Sequence, residues 1–190
     1  AHNFFSGYAE MLKHGLISNT AHWAELLNFN TSDIDYTALK QLVGRSVQVK
    51  EDIVEQDPFE HGIRKALNLG HTVGHAFESM ALAENRPVLH GYAVAWGIVC
   101  ELYLSHLKVG FPKEKMRQTI QFIKDNYGVF TFDCKKYEQL YAFMTHDKKN
   151  TSGTINFTLL KDIGDIRINQ IADKDTIFEM LDFYRECMGI

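Results

Sequence analysis

The chain has 190 residues, of which 45% are hydrophobic and 23% are charged, and its formal net charge is −4. This composition is typical of a globular protein and excludes a disordered tail, while the acidic balance argues against nucleic acid or an anionic membrane as partner. No apolar run approaches the roughly 18–20 residues that span a bilayer. The three cysteines form no CxxC pair, so we expect a cytoplasmic protein without disulfides.

Most of the chain shows helical periodicity. The predicted helices are Gly7–Ser18, Thr20–Leu27, Asp35–Glu55, Ile63–Ala83, His90–Lys108, Lys113–Tyr127, Lys135–Thr145 and Lys174–Met188. Thr20 and Asp173 are predicted N-caps, and Gly110 is predicted to end a helix. Alternating apolar residues predict a β-hairpin within Thr154–Ile171. The predicted fold class is mainly α, as one helical domain over residues 1–190 with a small hairpin.

A polar stripe marks the segment around the fourth predicted helix. At about 100° per residue, five side chains share an arc of about 80°, provided that the helix reaches back to the first of them. They are Glu60, Arg64, Asn68, His71 and His75. Histidine, asparagine and arginine favour a metal or oxyanion site over a solvent-exposed face. The opposite arc is predicted to face the core and holds Ala66, Leu69, Val73, Ala76, Phe77 and Met80.

Two glycines, Gly70 and Gly74, lie inside the same predicted helix. Each costs a helix about 1 kcal/mol relative to alanine. We therefore expect another helix or a ligand to approach the backbone closely at these positions.

The candidate metal ligands begin with His71 and His75, whose i, i+4 spacing can chelate one ion as in HExxH zincins. No glutamate lies between them, which argues against a metalloprotease. A third imidazole, His90, stands at a predicted helix start, and Glu10 could add a carboxylate from the first helix. Glu10 and Lys13 at i, i+3 are equally compatible with a surface ion pair.

Four segments resemble the 3-dehydroquinate synthase family in order and approximate spacing over nearly the whole chain. They are Gly7–Lys13, Gly62–Ala76, Leu89–Gly91 and Asp147–Asn150. The resemblance implies a helical C-terminal domain that carries the metal. An N-terminal α/β domain with most NAD contacts would be absent here. The abrupt start, without an initiator methionine, likewise leads us to expect part of a longer enzyme.

The resemblance also assigns roles to individual residues. It implies that Glu10, His71 and His90 bind Zn²⁺, with Co²⁺ as a substitute. It also implies that His75 is a proton acceptor and that Glu60 is a second residue that takes part in proton transfer. Substrate phosphate, carboxylate and hydroxyls would be held by Lys13, Lys50, Arg64, Asn68 and Lys148, and Ser6 would contact NAD. The family usually reads Leu-His-Gly-Glu, whereas Tyr92 follows Gly91 here and removes a carboxylate near His90.

The implied activity is the NAD- and metal-dependent conversion of 3-deoxy-D-arabino-heptulosonate 7-phosphate to 3-dehydroquinate and phosphate in the shikimate pathway. A homodimer is expected by analogy with relatives, and the isolated chain is expected to bind metal weakly without turnover. Three alternatives stay open. They are another sugar phosphate cyclase (of the deoxy-inosose, valiolone or amino-dehydroquinate type), a glycerol dehydrogenase-like alcohol dehydrogenase, and a non-catalytic helical interaction domain.

Overall fold

The computed structural model describes residues 2–146 and 154–190. Within them the helices are α1 (His2–Ser18), α2 (Thr20–Asn28), α3 (Tyr36–Gln56), α4 (His71–Ala83), α5 (His90–Val109), α6 (Lys113–Tyr127), α7 (Tyr137–Thr145) and α8 (Lys174–Met188). Short 3₁₀ turns cover Ile63–Asn68 and Cys134–Lys136. Strands β1 (Ile155–Asp162) and β2 (Asp165–Ala172) form an antiparallel hairpin. The predicted fold class is confirmed.

Helix α5 is the central element of the core. Its residues from Ala93 to Leu102 are buried on all sides, as expected for a helix that is apolar around its circumference apart from a single charge, Glu101. It packs against α1, α4, α6, α8 and strand β1. Among the described residues, no helix is long and apolar enough to cross a membrane. All three cysteines are free, as predicted.

The close backbone approach predicted at Gly70 and Gly74 is confirmed, and the neighbour is helix α5. A Cβ atom on Gly97 of α5 would lie 2.1 Å from the carbonyl oxygen of Gly70. A Cβ atom on Gly74 would lie 3.0 Å from the carbonyl oxygen of Ala93. The missing side chains therefore let α4 and α5 pack with their backbones almost in contact.

The prediction of one continuous helix over Ile63–Ala83 is wrong. A 3₁₀ turn ends at Asn68, Gly70 adopts a left-handed conformation with φ of 81°, and α4 begins at His71. Glycine adopts positive φ without the steric penalty of a side chain, so the chain can change direction here. The polar stripe is consequently not one helical face. The predicted core side from Ala66 to Met80 is nevertheless buried.

Helix ends were predicted with mixed success. Asp173 caps α8 by accepting the backbone N–H of Thr176 at 2.9 Å, and Gly110 ends α5 with φ of 82°, as predicted. The prediction of Thr20 as an N-cap is wrong by one position, because Asn19 accepts the N–H of His22 at 2.8 Å.

Candidate metal centre

Glu10 and Lys13 lie one turn apart on the buried side of α1. The Lys13 ammonium is 2.5 Å from Oε2 of Glu10, and Lys13 is only 4% exposed, so a surface ion pair is ruled out. Burial by itself raises the pKa of the Glu10 carboxyl, but the charge and hydrogen bond of Lys13, with His71 and His90, outweigh it and lower the pKa. Glu10 is therefore an ionised carboxylate whose Oε2 accepts a hydrogen bond from Lys13.

Two imidazoles converge on Oε1 of Glu10. Nε2 of His71 lies 3.8 Å from it and Nε2 of His90 lies 3.6 Å from it. These distances exceed a hydrogen bond and are close to the separation of about 3.3 Å between two ligand atoms on one tetrahedral cation with bonds of about 2.0 Å. One ligand atom from each residue lies within 4.8 Å of the other two. One carboxylate and two imidazoles are a donor set that fits Zn²⁺ or Co²⁺.

His71 is neutral under ordinary conditions. Burial, followed by the positive charge of Lys13, lowers its pKa from 6.5 to about 4. Its Nδ1 lies 3.1 Å from the carbonyl oxygen of Leu69, which accepts a hydrogen bond from the Nδ1–H tautomer. The lone pair is then on Nε2, the nitrogen that faces Glu10. A metal ligand must be unprotonated, so both the charge state and the tautomer suit coordination.

The crossing of α1 and α5 brings His90 to Glu10. The backbone N–H of Gly91 donates to Oγ of Ser6 at 3.0 Å, and a Cβ atom on Gly91 would lie 2.0 Å from the Ser6 carbonyl oxygen. The first turn of α5 is thus pressed against the first turns of α1. Ser6, to which the resemblance assigns a contact with NAD, accepts this hydrogen bond from Gly91.

His75 lies beside the three converging residues. Its exposed ring is centred 5.4 Å from that of His71 and 5.9 Å from that of His90. One possible ligand atom of His75 lies within 4.8 Å of ligand atoms of Glu78 and His90, and His75 is not in the group formed by Glu10, His71 and His90. The expectation that an i, i+4 pair of histidines chelates one ion is therefore not supported by the geometry.

Two other predicted site residues form a pair outside this centre. Nδ2 of Asn68 donates to Oε1 of Glu60 at 3.2 Å. Both line a polar cavity of about 260 Å³ together with Lys65, Thr72, Asn156, Thr158 and Asn169. Glu60 has φ of 59°, an uncommon conformation for a residue with a side chain.

Arg64 is held by the turn that precedes it. Nη1 donates to the carbonyl oxygen of Pro58 at 2.8 Å. The Asp57 carboxylate accepts the backbone N–H groups of His61, Gly62 and Arg64. The hydrogen bond from Gly62 is the main cause of the lowered pKa of Asp57.

The remaining predicted cations are Lys50 and Lys148. Lys50 is exposed on α3 and shares with Glu10, Met11 and His14 a cavity of about 930 Å³ between α1 and α3. Lys148 and the rest of the Asp147–Asn150 segment lie outside the described residues. Lys50 therefore opens onto the same cavity as Glu10, whereas Arg64 and Asn68 belong to other local networks.

Two carboxylates near the centre were missed in the sequence. Glu101 is fully buried on α5, where Oε1 accepts the N–H of Gly70 at 2.9 Å and Oε2 accepts that of Val73 at 3.1 Å. It thereby caps the N-terminus of α4 on both sides of His71. The sequence signal that could have revealed Glu101 was a single charge within an apolar helix.

The second missed carboxylate is Glu78, whose Oε1 lies 2.7 Å from Nδ1 of His90. The sequence signal for Glu78 was its position seven residues after His71 on the same helix.

Tyr92, which stands where the resemblance leads us to expect a glutamate, packs among aromatic rings. Its hydroxyl lies 3.0 Å from Nδ1 of His2, and its ring contacts Trp96 and Tyr127 edge-on. Burial raises the pKa of this phenol. The side chain therefore helps to join α1 to α5 and adds no carboxylate beside His90.

Comparison with known proteins identifies the family. The sequence profile described as 3-dehydroquinate synthase C-terminal matches residues 7–150. The 3-dehydroquinate synthase of Parabacteroides distasonis is 59% identical over 188 residues, which are 99% of this chain and 53% of that protein. The chain belongs to the 3-dehydroquinate synthase family. The Leptospira interrogans family member is 41% identical over 170 residues, covering 86% of the chain and 46% of that protein. The chain thus spans about half the length of the curated relatives it matches.

Solved structures agree on the fold. A 2-deoxy-scyllo-inosose synthase complexed with carbaglucose-6-phosphate, NAD⁺ and Co²⁺ superposes with a TM-score of 0.76 at 19% identity, over 97% of this chain and 51% of that one. A 2-epi-5-epi-valiolone synthase from Streptomyces hygroscopicus with NAD⁺ and Zn²⁺ bound superposes with a TM-score of 0.79 at 20% identity, over 96% and 51%. At these identities the likeness establishes the shared architecture of the 3-dehydroquinate synthase C-terminal region.

Proposed function

We propose that this chain is the metal- and substrate-binding part of a 3-dehydroquinate synthase. The enzyme would convert 3-deoxy-D-arabino-heptulosonate 7-phosphate to 3-dehydroquinate and phosphate in the shikimate pathway, as a phosphate-eliminating carbon–oxygen lyase. The observation that supports this most strongly is the convergence of His71 and His90 on Oε1 of Glu10 in a member of this family. The proposal includes a cytoplasmic homodimer.

In this proposal Glu10, His71 and His90 hold Zn²⁺ or Co²⁺. When bound, the metal supplies a Lewis acid for the substrate hydroxyls, and NAD supplies a temporary acceptor for a hydride. One carboxylate and two neutral imidazoles leave a divalent ion with net positive charge and open positions for substrate. Lys13 keeps the Glu10 carboxylate ionised and directs Oε1 to the histidines.

Cations of the chain would hold the anionic substrate, since the whole molecule is acidic. Lys50 opens onto the cavity that contains Glu10, and we assign it, with Lys13, Arg64, Asn68 and Lys148, to the substrate's phosphate, carboxylate and hydroxyls. Ser6 is assigned to the NAD side of the site.

Proton transfer is assigned to His75 and Glu60. The exposed imidazole of His75 lies beside the rings of His71 and His90, where it can accept a proton from a substrate hydroxyl. Glu60 would take part in a second proton transfer from its place beside Asn68 in the polar cavity.

A chimera tests the activity. In the chimera, this chain would replace the matching half of the Parabacteroides distasonis enzyme, to which it is 59% identical. The assay would measure the release of phosphate from 3-deoxy-D-arabino-heptulosonate 7-phosphate. We expect turnover in the chimera, loss of turnover in its Glu10→Ala variant, and metal binding without turnover by the chain alone. A folded, metal-loaded chimera that releases no phosphate from this substrate would contradict the proposal.

A second candidate is another sugar phosphate cyclase, favoured by the fold shared with the inosose and valiolone synthases. Assaying the same chimera on a panel of sugar phosphates separates the two, because faster phosphate release from another sugar would identify the second. Net accumulation of NADH would instead indicate an alcohol dehydrogenase, since the cyclase returns its hydride to the product.

A further inference from the structure

His90 lies between two carboxylates that face different ring nitrogens. Oε1 of Glu78 on α4 lies 2.7 Å from Nδ1, while Oε1 of Glu10 on α1 lies 3.6 Å from Nε2. Its ring is centred 5.3 Å from that of His71 and 5.9 Å from that of His75, and the His90 side chain is 47% exposed. An exposed imidazole without such contacts would exchange between rotamers and between its two neutral tautomers.

The two distances give the two carboxylates different roles. Ligand atoms on one tetrahedral cation are about 3.3 Å apart, so 3.6 Å between Glu10 and His90 leaves space for an ion between them. The 2.7 Å between Glu78 and His90 leaves no such space and is an ordinary charge-assisted hydrogen bond. The group of His75, Glu78 and His90 is therefore better explained by a hydrogen bond than by a second ion, although its donor atoms also lie within 4.8 Å of one another.

We propose that Glu78 is a positioning residue of the metal centre, which accepts the Nδ1–H of His90 and so leaves the lone pair of Nε2 directed at the ion. This inference rests on the metal site of the proposed function. A carboxylate behind a ligand histidine fixes the tautomer and raises the basicity of the coordinating nitrogen.

The same arrangement occurs at the other histidine ligand, with a different acceptor. Nδ1 of His71 is held at 3.1 Å by the carbonyl oxygen of Leu69, and its Nε2 faces Glu10. His71 is fixed by its own backbone because it starts α4. His90 starts α5 and depends on a side chain from α4 instead. Helix α4 therefore contributes one ligand directly and orients the other, since His71 and Glu78 are two turns apart on one face.

Metal affinity is the first test. Zn²⁺ binding would be measured by competition with a chromophoric chelator in the wild-type chain and in Glu78→Gln and Glu78→Ala. We expect both variants to bind about 10- to 100-fold more weakly, the usual effect of removing such a partner. Their thermal midpoints should not change, because the Glu78 side chain is 31% exposed and does not belong to the core. Glu114→Gln, an exposed glutamate on α6, is the matched control and should bind like the wild type.

The tautomer of His90 is the second test and needs no metal. In the metal-free chain at about pH 8, two-bond ¹⁵N–¹H correlation spectra should show Nδ1–H for His90 in the wild type and a mixture of tautomers in Glu78→Ala. Wild-type affinity and an unchanged tautomer in Glu78→Ala would overturn the inference while leaving the metal site intact. Loss of a second equivalent of metal in the Glu78 variants would also overturn it, because Glu78 would then be a ligand. A wild-type chain that shows the tautomer but binds no metal would refute the metal site and not the orienting contact.

Discussion

Nε2 of His90 lies 3.6 Å from Oε1 of Glu10, although the two residues belong to helices that are remote in the sequence. The distance depends on how α1 crosses α5, and that crossing depends on the glycine that follows His90. The candidate metal site is therefore a product of helix packing, and substitutions that change the packing should change the affinity for metal.

Removing either partner of this contact should abolish specific metal binding. In Glu10→Ala or His90→Ala the ion would lose one of three protein ligands, so Zn²⁺ affinity should fall by more than about 100-fold. Isothermal titration or chelator competition measures the change. His61→Ala, which removes an exposed imidazole from the turn before Arg64, should leave the affinity unchanged. Retention of one tightly bound ion in both variants would mean that the ligands lie elsewhere.

Gly91 should not tolerate a side chain. Because its Cβ atom would lie 2.0 Å from the Ser6 carbonyl oxygen, Gly91→Ala must push α1 and α5 apart. We expect a loss of about 2 kcal/mol or more in the free energy of unfolding, measured in urea, together with weaker metal binding. Gly44→Ala is the control, since Gly44 is exposed on α3 and a Cβ atom there meets nothing within 4 Å, so the unfolding free energy should rise by up to about 1 kcal/mol. Equal stability of the two variants would contradict the tight crossing.

Glu101 should be indispensable for the start of α4. In Glu101→Gln the amide offers one acceptor oxygen to the two backbone N–H groups of Gly70 and Val73, so one buried donor loses its partner. The unfolding free energy should fall by about 1.5–3 kcal/mol. Metal affinity should fall as well, because His71 stands between the two amides. Glu114→Gln, at an exposed position, should cost less than about 0.5 kcal/mol.

Stability should fall in acid because of His14. Burial, then the charge of Lys13, lowers the pKa of this imidazole from 6.5 to about 4, and Glu10, Lys50 and His22 also face it. Between these two values the unfolded chain binds a proton that the folded chain does not. The contribution of neutral His14 to the free energy of unfolding is therefore fully present above about pH 6.5 and is lost as the pH falls towards 4. The total loss is on the order of 3 kcal/mol.

Unfolding in urea between about pH 7 and pH 5 measures this loss. His14→Gln removes the titrating ring but can still bond to the hydroxyl of Ser46, so its unfolding free energy should fall less steeply than that of the wild type. The control Gly44→Ala, which changes no titrating group, should keep the wild-type slope. Identical slopes in the wild type and His14→Gln would show that His14 does not resist protonation.

The helices were predictable because their signals are local. The apolar circumference of α5, the cap at Asp173 and the alternation in the hairpin each follow from residues close together in the chain. The break at Gly70 was not predictable from period alone. A glycine in a helical pattern indicates either a tight contact or a turn, and Gly70 has both. It packs closely against α5, and its turn is stabilised by the buried Glu101 of that helix.

The chain by itself determined the mainly helical fold, the core-facing residues from Ala66 to Met80 and the family to which Glu10, His71 and His90 point. Tertiary structure alone decided that Oε1 of Glu10 faces Nε2 of both histidines, and that Glu78 and Glu101 support them. The physical reason is the distance along the chain over which each kind of signal acts. Helical period and residue chemistry are expressed over a few neighbouring positions, whereas the ring nitrogen that faces an ion is chosen by hydrogen bonds between helices that only the folded packing brings together.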